Sequence, residues 1–280
     1  MLERREGRVV VSLWLNTLLF VAVVRLINHF SLIHDDGLRL LVTTFVALCP
    51  LLFWGRGLKA YKEDIKDISR FGFFTVVFLF CVGICFNFIG TISTVPLEGL
   101  LNQVGYTAKE SLVQNKINEG TITFIIYSCI LGPIFEEVVY RGGLQTLLAP
   151  YGKKRAILIS ALIFGFMHHD LYQAIAAAAL GIVFAYGRDR YGLLFAIILH
   201  ICNNTFVTLV AHFKPIGFAV PAFAVIGLII FIVALIKKRV YLSEKFQRIG
   251  KMPYYILLPI LGLFAYEVIY TLVESIHRLG

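Results

Sequence analysis

Nine stretches free of Asp, Glu, Lys and Arg recur along the chain, at 9–24, 40–55, 71–97, 120–135, 156–167, 171–187, 191–213, 215–236 and 252–266. A helix needs about 20 apolar residues to cross the hydrocarbon of a bilayer. Several of these stretches approach that length, and the shorter ones reach it if flanking charges snorkel or are buried inside a bundle. The pattern predicts an all-α, polytopic transmembrane helix bundle of eight to nine spanning helices.

The first two helices are expected at about Val9–Ile27 and Leu40–Trp54, the second carrying Pro50. The loop Arg56–Arg70 alternates Lys with Glu and Asp and reads as a short surface helix with a solvated or headgroup-lying face. Phe71–Val95 is an aromatic-rich crossing, and 96–120 is the longest polar external segment, placed to cap an outer mouth. A fourth helix runs from about Thr121 to Leu148, interrupted by Pro133, whose missing N–H breaks the backbone ladder one turn before two carboxylates. Lys154–His169, Gln173–Gly187, Leu193–His212, Phe218–Ile236 and Tyr254–Val273 complete the set. The alanines and Gly181 of the sixth helix suit close helix packing. No repeat, low-complexity tract or linker divides the chain, so 1–280 is read as one integral membrane domain.

Composition agrees with that pattern: 59% of residues are hydrophobic, only 15% are charged, and the mean hydropathy is +0.81. The net charge of +9 would suit a nucleic-acid binder were it clustered on one face. With the N-terminus placed in the cytoplasm, however, 20 of the 26 basic residues fall in cytoplasmic turns. This is the positive-inside distribution, so the charge sets topology and implies no nucleic acid or other acidic partner. The expected location is the cell membrane, as a multi-pass protein. The five cysteines lie in or beside apolar windows and are odd in number, so no disulfide framework is expected. The charged, then apolar, N-terminus lacks a small-x-small cleavage site and is expected to stay as the first helix.

The candidate chemistry begins at Pro133-Ile-Phe-Glu-Glu-Val-Val-Tyr-Arg-Gly-Gly143. Each charge at a bilayer centre costs roughly 2.5–3.5 kcal/mol, so three of them need partners or a task. Glu137 and Arg141 are one turn apart and can pair, which leaves Glu136 about 100° around the helix without a local partner. Phe164 and His168 share a face on the fifth helix, as do His200 and Asn204 on the seventh. His169 reads as an interfacial residue, and Glu267 as an acid nearing the outer interface, with a relay role as the alternative. Together, three helices supply a base, imidazoles and an amide donor, the parts needed for water-mediated amide hydrolysis.

These motifs, Glu136-Glu137-x3-Arg141, Phe164-x3-His168 and His200-x3-Asn204, resemble those of the CAAX protease and bacteriocin-processing family, also called Abi, with the catalytic core at about 120–210. The resemblance implies an intramembrane endopeptidase with a conical cavity open to the cytosol and the lipid, acting on a membrane-associated or lipidated peptide or protein. Glu136 would be the general base acting with His168 on the attacking water. Glu137 would support the site and pair with Arg141, Phe164 would brace His168, and His200 and Asn204 would hold the oxyanion. Zinc is the open question, with Glu136, His168 and His200 as its ligands if it binds. The chain lacks His-Glu-x2-His, and a metal-free glutamate mechanism is the favoured expectation. The alternatives are a non-catalytic scaffold of the same fold, one that holds a membrane sensor kinase or confers bacteriocin immunity, and a proton-coupled transporter.

Overall fold

Backbone N–H and C=O groups find no water in hydrocarbon, so long apolar runs satisfy them internally as helices. A computed structural model describes residues 2–66, 71–108, 121–237, 239 and 251–279 of this chain. Helix α1 spans Leu2–His29. Helix α2, Asp36–Gly55, is capped by the Asp35 carboxylate, which accepts from Leu38 N at 2.7 Å, and its last turn from Pro50 is π-helical. The short α3, Leu58–Lys66, precedes α4, Phe73–Gln103, which runs through Pro96. Strand β1 is Tyr106–Thr107. Then come α5 (Ile122–Tyr151), α6 (Lys153–Phe166), α7 (Leu171–Tyr191), α8 (Leu193–His212), α9 (Ala219–Ile236) and α10 (Tyr254–Ser275). Strand β2, His277–Arg278, pairs antiparallel with β1, with Tyr106 opposite Arg278.

Eight helices among the described residues are long and apolar enough to cross a membrane, and the chain is an all-helical, multi-pass membrane protein. The expected fifth crossing is the shortfall. Helix α6 has 14 residues, about 21 Å at 1.5 Å per residue, and stops at Phe166 rather than His169. It stops because Asp170 starts the next helix, its carboxylate accepting from Gln173 N at 2.8 Å, while His169 turns the chain with φ +57°. Helices α6 and α7 form a tight interior hairpin. A Cβ on Gly165 would lie 2.4 Å from the Ala174 carbonyl oxygen, so only glycine allows that approach.

Helix α4 continues to Gln103, so the first part of the 96–120 segment is helical, while 109–120 lie outside the described residues, as do 240–250 of the basic loop. The expected short surface helix is present as α3, and one of its residues is anchored in the bundle. Tyr61 is 4% exposed against Gly142, and Arg56 Nη1 donates to the Gly142 carbonyl at 2.7 Å while pairing with Asp64. The glycine pair after Arg141 thus admits α3 on one side and Leu51 of α2 on the other.

The core surrounds α5. Leu13, Leu51, Leu144, Leu148, Ile163, Leu193 and Ile260 are all buried there, while Phe73, Phe74, Phe218 and Ile236 point outward, as a lipid-solvated surface permits. All five cysteines are free thiols. Helix α9 is peripheral, with Ala224 and Gly227 its only buried residues, and it meets α4 where a Cβ on Gly227 would come within 2.0 Å of the Cys81 carbonyl oxygen. Gly227→Val should therefore force these helices apart and lower unfolding stability in detergent by about 1–3 kcal/mol. Thermal unfolding at the wild-type temperature would contradict this packing.

Candidate active site

Helix α5 is not uniformly α-helical. π-Helical turns at Tyr127–Leu131 and Val138–Gln145 bracket the α-helical Gly132–Glu137, in which Pro133 brings no N–H. Such wide turns redirect side chains and concentrate at functional sites. Here they aim Glu136, Glu137 and Arg141 into the bundle.

Glu137 and Arg141 are both 0% exposed, with Oε1 and Nη1 3.2 Å apart. Arg141 Nη2 donates to the Gly181 carbonyl at 3.2 Å, and its guanidinium lies over the Phe164 ring at 4.2 Å and the Phe184 ring at 5.6 Å. Cation–π contact of this kind strengthens when water is excluded. The remaining hydrogen-bonding capacity is under-used, since Glu137 Oε2, Arg141 Nε and Arg141 Nη1 find no aligned partner among the described residues. The pair is therefore held by charge and ring contacts more than by directed hydrogen bonds.

His200 joins the same carboxylate: its Nδ1 donates to Glu137 Oε1 at 2.9 Å. Phe184 stacks on the imidazole at 4.5 Å and 29°, and Phe164 meets it edge-on at 5.6 Å. This leaves Nε2 directed at Glu136, 3.7 Å from Oε2. His168 is set in a parallel way. Its Nδ1 lies 3.1 Å from the Phe164 carbonyl oxygen and 3.2 Å from that of Gly165. Both are acceptors, so Nδ1 carries the proton and Nε2 keeps its lone pair. The Phe164 ring braces this imidazole edge-on at 5.2 Å, and the same ring meets His200 edge-on.

The structure thus brings together Glu136, Glu137, Arg141, Phe164, His168 and His200. Asn204 stands one turn beyond His200 and faces α5, donating from Nδ2 to the Ser128 carbonyl at 2.9 Å and accepting from Asn203 at 3.2 Å. One of its two amide hydrogens is occupied by that contact. Phe184, Gly181 and Ser128 are supporting groups that the motifs do not name. The signal for two of them was the spacing on α7, where Gly181 and Phe184 share a face amid alanines. Glu267 is 1% exposed, with Oε2 2.8 Å from Nε2 of the partly buried His169.

Imidazole and carboxylate donors are chemically suited to zinc. Among the described residues, however, no three His, Cys, Asp or Glu groups are gathered closely enough to hold a metal ion.

Residues 118–206 match the family model described as type II CAAX prenyl endopeptidase Rce1-like. That segment is similar to the core of CAAX-type membrane peptidases. A curated relative from Bacillus subtilis (strain 168), named "Putative membrane peptidase YdiL", is 38% identical over 89 residues, which cover 30% of this chain and 36% of that protein. The chain spans only about a third of that relative's length. No solved structure matches. The matched segment contains every residue of the three motifs, together with Gly181, Phe184 and Ser128.

Removing one partner of a buried ion pair leaves an uncompensated charge and costs about 3–5 kcal/mol. Glu137→Gln should therefore lower unfolding stability in detergent by an amount of that order. Wild-type thermal stability would count against the Glu137–Arg141–His200 arrangement.

Proposed function

We propose that this chain is a CAAX protease-like intramembrane endopeptidase that hydrolyses a peptide bond in a membrane-associated or lipidated peptide by glutamate- and histidine-assisted attack of water. The observation that carries the reading is the approach of His200 Nε2 to the Glu136 carboxylate at 3.7 Å, with Phe164 braced against both His200 and His168. Glu136 is partly buried, and both imidazoles lie among aromatic rings in a largely apolar bundle.

In the proposed reaction, Glu136 takes a proton from water as the oxygen bonds to the scissile carbonyl carbon, and His168 Nε2 accepts the other water hydrogen and orients the lone pair. The carbonyl π electrons move onto oxygen. The second amide hydrogen of Asn204 donates to that oxyanion, with the His200 ring beside it as the other oxyanion group. Glu136 then returns its proton to the leaving nitrogen as the C–N bond breaks. Arg141 holds Glu137, and through it the His200 ring.

The proposed topology places the N-terminus in the cytoplasm, following the distribution of basic residues, with the site reached from the cytosol and the lipid. A lipid-anchored substrate suits a site set among apolar helices, because its anchor can stay in the bilayer while the peptide enters. No metal is required by these steps.

Full-length protein in liposomes should cleave a peptide probe, offered as a farnesylated CAAX-type peptide and as its unprenylated counterpart. Glu136→Ala and His168→Ala should each abolish turnover while remaining folded. Asn204→Ala should slow it about 10²–10³-fold, the usual loss for one oxyanion donor. Normal turnover in a Glu136 or His168 variant would defeat the assignment.

A further inference from the structure

The buried stripe of α10 changes character part-way along. Ile256, Ile260 and Leu263 line its first half, and Glu267, Thr271 and Ser275 continue the same face at steps of four, all of them buried. A peripheral helix could close this seam with more leucine. Polar groups in a bilayer carry a penalty that leucine avoids, so what these three touch matters.

All three reach one turn. Glu267 Oε2 lies 2.8 Å from His169 Nε2, and its Oε1 accepts from Thr17 of α1 at 3.0 Å. Thr271 Oγ1 donates to the Phe166 carbonyl at 2.7 Å. Ser275 Oγ accepts from Leu171 N at 2.9 Å and approaches the His169 carbonyl oxygen at 3.4 Å. These contacts span 166–171, the segment that carries His168 between α6 and α7. His169 sits there at φ +57°, a conformation sparsely populated for a non-glycine residue and kept only when its surroundings enforce it. Tyr270 packs on its ring at 4.4 Å. The end of α10 is itself tied down, since β2 pairs with β1 and Leu279 N donates to the Gly105 carbonyl at 2.9 Å.

We infer that α10, which lies outside the family-matched segment, is a positioning element for the peptidase: Glu267, Thr271 and Ser275 clamp the Phe166–Leu171 turn and so aim His168 Nε2 at the water beside Glu136. The inference rests on the catalytic reading above. His168 is fixed to α6 by its own bonds to Phe164 and Gly165, but α6 is short and ends at Phe166. The clamp joins that end to the rest of the bundle. A misplacement of about 1 Å at a reacting group is enough to slow turnover about a hundredfold.

The test uses full-length protein and variants that leave the Glu267 charge intact. The variants are Thr271→Val with Ser275→Ala, compared with the hydroxyl-preserving Thr271→Ser and Ser275→Thr. Cleavage of the farnesylated peptide reads kcat and KM, and diethyl pyrocarbonate labelling of His168, followed by mass spectrometry, reads imidazole presentation independently of activity. The double variant is expected to lose about ten- to a hundredfold in kcat with KM little changed and to label His168 at an altered rate, while the hydroxyl-preserving variants match wild type on both. Unaltered labelling overturns the clamp whatever the kinetics. So does altered labelling with wild-type kcat, or an equal kcat loss in the hydroxyl-preserving variants. If wild type cleaves no probe, the peptidase reading fails while the labelling still judges the clamp.

Discussion

An arginine with no solvent exposure dictates how this bundle is built. Arg141 cannot shed its charge by deprotonation as a lysine can, so burial obliges the fold to surround it with a carboxylate, a carbonyl and ring faces. Glu137 supplies the carboxylate, Gly181 the carbonyl, and Phe164 and Phe184 the rings. Those residues come from α5, α6 and α7, and His200 brings α8 to the same Glu137 oxygen. One charge thereby sets the register of four helices. Glu136, the neighbouring acid left out of that pairing, lies 3.7 Å from Nε2 of the His200 ring.

This arrangement divides labour between charge and backbone. The π-helical turns of α5 rotate its carboxylates inward, and glycine allows the close approaches that the charges require. At Gly181 a Cβ would sit 3.2 Å from Arg141 Nη2 and 3.0 Å from the Phe164 ring, so any side chain there would intrude on the pair. Farther out, apolar contacts suffice, and α9 meets α4 with little more than Ala224 and Gly227 buried.

Much of this was legible in residue order. Charge-free runs located the crossings because hydrocarbon admits little else, and the Glu137–Arg141 spacing announced a pair because one helical turn brings i and i+4 together. What escaped depended on distance in three dimensions. Periodicity has no symbol for the end of α6, which is set by the Asp170 cap and the left-handed His169, so the helix was read on to His169 although it ends at Phe166. Glu267 looked interfacial because its sequence neighbours Glu274 and His277 are polar, whereas its partners, Thr17 and His169, are 250 and 98 residues away. Asn204 shared a face with His200 in the sequence, yet its contact with Ser128 of α5 could be seen only once the helices were packed.

The central claim is that Arg141 and Glu137 are two halves of one buried unit on which the site is assembled. A double-mutant cycle in thermal unfolding, with Glu137→Leu, Arg141→Met and both together, tests it most directly. If the claim holds, each single variant is strongly destabilised by the lone charge it leaves, and the double variant is more stable than either, because no unpaired buried charge remains. Additive losses, with the double variant the least stable of the three, would contradict it.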